Sequence, residues 1–167
     1  MSELSLSGKE MLAWNEKTSD GWRQLISENP EVLAMSCDIM GVKTVGELLQ
    51  HIVAVELRYA ERLAGLPATD YAAIPCDSLG AIYVTHDRAI ALFQQQLVAD
   101  PDWDEQIEFM TRTWGPAKAS RKTIFFHAML HATRHYAQLA TLVRQHGIKP
   151  GWQMDYLVMD IQLMGKD

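Results

Sequence analysis

Four stretches of this chain carry apolar residues at spacings of three and four, each opened by a capping residue and closed by Asn, Asp, Gly or Pro. That pattern restricts the fold to packed helices. Ser7-Gly8-Lys9-Glu10 reads as a capping box, in which serine and glutamate satisfy each other's backbone N–H groups. Met11, Trp14, Thr18, Trp22 and Leu25 then share a face until Asn29-Pro30 stops the helix. Thr44-Val45-Gly46-Glu47 is a second box, opening a helix to about Ala64, where Gly65 and Pro67 end it. Asp77-Ser78 starts a third helix, which reaches about Ala99. Ser120 caps a fourth, running to about His146 before Gly147 and Pro150.

Between the third and fourth helices the period changes. Ile107, Phe109, Thr111 and Thr113 alternate with polar neighbours, as in a short strand or hairpin. From Trp152 to Met164 a small C-terminal helix is expected, apolar on both sides: Trp152, Tyr156, Met159 and Leu163 on one, Leu157, Ile161 and Met164 on the other. Such a helix wants two neighbours, one of which a second subunit could supply. The expected fold is all-α, a four-helix bundle with a short extended segment or hairpin before the last long helix.

The chain has 167 residues, 48% hydrophobic and 22% charged, which fits one domain over residues 1–167 with a substantial core. A net charge of -6 argues against a general nucleic-acid binder. No run approaches the eighteen or so apolar residues of a membrane span, and the N-terminus does not read as a signal peptide. Cys37 and Cys76 form no CxxC pair, so a reducing cytoplasm is the expected compartment.

Chemistry is read from polar residues that fall on apolar faces. With Ile124 at zero and about 100° per residue, His131 and His135 land at about 340° and about 20°, flanking the apolar sector. Residues four apart stack on one face, so this pair either holds a metal ion or forms a half-buried, hydrogen-bonded boundary pair. His127 lands near 300°, beside Arg134. On the second helix Glu56 interrupts the stripe of Leu48, Leu49, Ile52, Tyr59 and Leu63, and His51 sits at its edge. A carboxylate there is costly unless paired, protonated or near a metal; an arginine from a neighbouring helix is the structural alternative. His86 lies among Leu79, Ile82, Tyr83, Ile90 and Phe93, as a core histidine or a reserve ligand.

Two segments carry a resemblance. Leu48-Leu49-Gln50-His51-Ile52-Val53-Ala54-Val55-Glu56 resembles the second-helix motif of the DinB-like (DinB/YfiT) metal-binding four-helix bundles. The run from Phe126 to Leu139, with His131 and His135 four apart and then Gln138-Leu139, is similar to that family's other motif. Tyr59 departs from the pattern, standing where members often have Trp. Carried over residue by residue, the resemblance implies a metal triad of His51, His131 and His135, with His127 as an extra upstream histidine outside it. It also implies homodimers and metal-dependent enzymes, among them low-molecular-weight thiol transferases.

Three histidines with open positions suit Zn, Ni or another divalent first-row ion. HExxH, paired Glu-x-x-His, GxGxxG and GxxxxGK[ST] motifs are absent, which sets aside zincins, di-iron bundles and nucleotide sites. Glu56 is the expected general base or orienting residue. Arg112, Lys118, Arg121 and Lys122 cluster before the fourth helix; Arg112, Trp114 and Arg121 are the expected rim for a small-molecule substrate, acidic or a carboxylated thiol. The leading expectation is hydrolysis or thiol transfer. The rival is a non-catalytic metal-binding bundle with a stress or interaction role.

Overall fold

The computed structural model describes residues 5–164. These contain four α-helices: α1 (Gly8–Glu28), α2 (Val45–Leu63), α3 (Leu79–Ala99) and α4 (Arg121–Gln145). Strands β1 (Gln106–Met110) and β2 (Pro116–Ser120) form an antiparallel hairpin between α3 and α4. The expected bundle with a hairpin before its last long helix is therefore the fold. Among the described residues no helix is long and apolar enough to cross a membrane.

The caps act as their sequences suggest, with one variation. Ser7 Oγ accepts from Glu10 N at 3.2 Å, and Glu10 Oε2 accepts from Ser7 N at 2.8 Å, closing the box. Thr44 Oγ1 likewise accepts from Glu47 N, but the Glu47 carboxylate takes Lys43 N at 2.7 Å instead of returning to Thr44. Serines 78 and 120 cap α3 and α4.

α2 packs against α3 and α4, and α1 packs against the same two, so α1 and α2 face each other across the bundle. Between them lies a core that includes Trp22, Leu48, Leu49, Ile52, Phe93, Phe125 and Leu139, all essentially without exposure. Packing at this density makes each facing position sensitive to volume. The core is not wholly apolar: Tyr83 Oη donates to Ser19 O at 2.9 Å, and Tyr136 Oη donates to Ser19 Oγ at 3.2 Å.

The hairpin pairs Ile107 with Ala119 and Phe109 with Ala117. Its second strand lies beyond the expected alternation, because Pro-Ala-Lys-Ala-Ser carries none of the β-branched or aromatic residues that mark strands. Two arginines pin the hairpin to α2. Arg62 Nη2 donates to Met110 O, and Arg121 Nη1 donates to Leu63 O in the last turn of α2, whose carbonyls lack helical partners.

The C-terminal segment forms a single 3-10 turn at Tyr156–Met159 in place of the longer helix expected from Trp152 to Met164. It is held by α1. Trp152 lies directly on Gly21, where its ring leaves no room for a Cβ. Trp14 Nε1 donates to Met154 O at 3.0 Å and Lys17 Nζ to Val158 O at 2.9 Å. Side chains of α1 thus hold two backbone carbonyls of the segment, beside the turn's own bonds such as Ile161 N to Leu157 O at 3.1 Å.

Candidate metal centre

α2 supplies one histidine and α4 two. His131 and His135 stand one turn apart on the face of α4 that packs against α2, where His51 meets them. The structure brings together all three: one potential ligand atom from each lies within 4.8 Å of the others. Nε2 of His131 is 3.0 Å from Nε2 of His51, and the ring centroids of His131 and His135 are 4.5 Å apart. Nitrogen ligands at about 2.0–2.1 Å around a tetrahedral ion stand about 3.4 Å apart, so the cluster has the right scale.

The donor chemistry also fits. Burial, then the neighbouring His135 and the cations Arg112 and Arg134, push His51 down to about 4. Burial and the surrounding histidines push His131 down to about 2. His135 is lowered by burial as well, although its bond to Gln138 opposes this. Neutral imidazoles present lone pairs, which is what a metal ion requires.

His135 is oriented by two partners. Its Nδ1 donates to Gln138 Oε1 at 2.7 Å, while Arg134 Nη2 donates to its Nε2 at 3.2 Å. Together they place the proton on Nδ1 and the lone pair on Nε2. Such an outer hydrogen bond fixes tautomer and ring orientation in histidine metal sites. Nδ1 of His131 is buried without a partner. Among the described residues no fourth His, Cys, Asp or Glu joins the group.

Glu56 and Arg121, also expected at the site, are engaged with partners outside the triad. Glu56 is fully buried, but its oxygens are taken by Asn15 Nδ2 at 2.9 Å and His86 Nδ1 at 2.7 Å, not by a triad histidine. The arginine expected as its structural partner is thus replaced by a histidine and an asparagine. Burial works to lower His86, yet the charge of Glu56 and the bond to it prevail and raise it. His86 belongs to this second network and is absent from the metal group.

Arg112 is exposed, its guanidinium 4.2 Å from the ring centroid of Tyr71, which itself lies beside His51 at 6.5 Å. Trp114 is 86% exposed at the hairpin turn. Arg121 is committed to Glu105 at 2.6 Å and to Leu63 O at 2.7 Å, so it braces the hairpin. His127 stacks edge-on to Tyr59 at 5.1 Å and lies 5.7 Å from His131 by ring centroids.

Arg134 and Tyr71, which lie beside the triad, and Asn15, which bonds Glu56, were not legible in the sequence. Helical projection puts Arg134 on the polar side of α4, but its long side chain wraps back to the neighbouring residue's ring. Asn15 had a weak signal: it lies four residues from Met11, on the buried face of α1.

The sequence matches the family described as the DinB family over residues 1–163. Among curated proteins nothing matches it.

Proposed function

The chain belongs to the DinB family, and from that premise we propose that it binds a divalent transition ion, Zn or Ni, on His51, His131 and His135. We read it as a cytoplasmic, homodimeric enzyme acting by hydrolysis or by transfer of a low-molecular-weight thiol. The observation that carries this reading is the convergence of three neutral imidazoles from two helices, with no fourth protein ligand among the described residues. A closed structural site is normally completed by a fourth side chain, whereas a catalytic one leaves a position for water or substrate.

When bound, the ion would acidify a water or activate a thiolate. The chain's own residues set the rest. Gln138 holds His135 in the tautomer that presents Nε2. Arg112 and Arg134 add positive charge beside the triad, which selects an anionic small molecule. Trp114, exposed at the hairpin turn, is a contact for that molecule. The dimer reading draws on the exposed Leu157, Ile161, Leu163 and Met164 of the C-terminal segment.

One observation favours the non-catalytic rival. Two surface cavities, about 240 Å³ beside His86 and about 490 Å³ on the hairpin, are not lined by any triad histidine. Elemental analysis of protein purified without a histidine tag, followed by titration of the Co(II)-substituted form with a small thiol and a small carboxylate, decides between the readings. A saturable spectral shift supports the enzyme. A spectrum indifferent to every ligand favours the rival, and absence of any bound metal overturns both.

A further inference from the structure

Arg134 is exposed, and among the described residues it has no acidic partner; its one side-chain hydrogen bond runs to Nε2 of His135. An arginine would ordinarily find a carboxylate or water before an imidazole, because a charged acceptor gives the stronger bond. Nε2 is also the atom left free on His135, since Nδ1 is committed to Gln138. A guanidinium and a metal ion cannot use the same lone pair, and the two positive charges repel at that distance.

Resting on the metal-binding reading above, we propose that Arg134 couples the ion to the ligand: it caps His135 Nε2, gives up that bond when the ion takes the nitrogen, and then holds an anionic group of the ligand. The release has a direction. Arg134 sits on the same helix, one residue from His135, so a change of rotamer is enough to move the guanidinium off the ring without moving α4. Its freed fork suits a carboxylate, which two parallel N–H groups can hold. Arg112 offers a contrast. It too bears on His51 electrostatically, but its guanidinium lies over Tyr71 and bonds to no triad nitrogen.

The consequence is positive coupling between ion and anion that depends on one side chain. Zn(II) affinity of chelator-stripped protein is measured by competition with a chromophoric chelator, with and without acetate, for the wild type, Arg134→Ala and Arg112→Ala. Arg134→Ala is expected to bind Zn(II) about tenfold tighter in the absence of acetate, reflecting loss of one charged hydrogen bond. It is also expected to lose the acetate-dependent gain that the wild type shows. Arg112→Ala, which removes charge but no bond to a ligand nitrogen, is expected to change Zn(II) affinity by no more than about threefold. Unchanged affinity in Arg134→Ala, or an equal gain in Arg112→Ala, overturns the inference while the metal site stands. A wild type that takes up no Zn(II) overturns the metal reading itself. Circular dichroism of each variant excludes misfolding, and Arg134→Gln provides a second substitution at the same position.

Discussion

Nε2 of His51 on α2 and Nε2 of His131 on α4 stand 3.0 Å apart although 80 residues separate them in the chain. Both rings are held below the usual histidine range, so the pair can share at most one proton in its N···N contact. Two neutral imidazoles so placed, with a third on the next turn, gain more from a cation than from each other.

Replacing any one of the triad by alanine should therefore abolish metal uptake while leaving the helical circular dichroism nearly unchanged. Loss of an orienting partner alone costs roughly 10–100-fold in metal affinity, so Gln138→Leu should fall in that range and the ligand variants beyond it. Metal content after dialysis checks both. Retention of stoichiometric metal by His51→Ala would remove α2 from the site.

Acid should unfold the metal-stripped protein through the same residues. An unfolded histidine takes its proton near pH 6.5, whereas the folded protein holds His51 down to about 4. Between those values the unfolded state binds more protons. Stability present above the unfolded value is lost as the pH falls toward the folded one. His131, held down to about 2, extends the decline to lower pH. Urea midpoints should drop on acidification and drop less in His51→Gln. An identical pH dependence in that variant would assign the acid sensitivity to other groups.

How much of this was legible depends on what kind of signal each residue leaves. The helices were readable because capping residues and three-four spacing are local, and Ser7, Thr44, Ser78 and Ser120 all cap as their sequences suggest. The triad was readable because His131 and His135 interrupt an apolar face and His51 edges another. The second strand was not, since register with β1 and not composition makes Pro116–Ser120 extended. The partner of Glu56 was equally hidden: a buried carboxylate announces that it needs partners without naming which helix supplies them.

Glu56→Gln tests that partnership. Both oxygens of Glu56 are engaged inside the bundle, so the amide should lower stability by about 1–3 kcal/mol by exchanging a charged acceptor for a neutral one. Metal affinity should not change. A large fall in metal affinity at constant stability would instead tie Glu56 to the triad.

Arg121 and Trp114 should separate along a similar line. Arg121→Ala removes the bonds to Glu105 and Leu63 O and should cost about 1–3 kcal/mol. Trp114→Ala, at a position 86% exposed, should stay within about 0.5 kcal/mol of wild type. On the proposed reading it should nonetheless weaken the Co(II) spectral response to thiol or carboxylate. Chemical denaturation and that titration, run on the same two variants, read the difference.

The seat of Trp152 on Gly21 has an optical consequence. Of the five tryptophans, Trp14, Trp22 and Trp152 all belong to the contact between α1 and the C-terminal segment, with Trp22 and Trp152 edge-on at 5.1 Å. Three of the five emitters therefore report on one local junction, with Trp22 also stacked on Tyr136 of α4. If the segment detaches before the bundle opens, the fluorescence transition in urea will precede the far-ultraviolet one, and an observer following emission alone would underrate the stability of the helices around the triad. Gly21→Ala, which places a methyl group into the indole, should shift the fluorescence transition to lower urea and widen that gap.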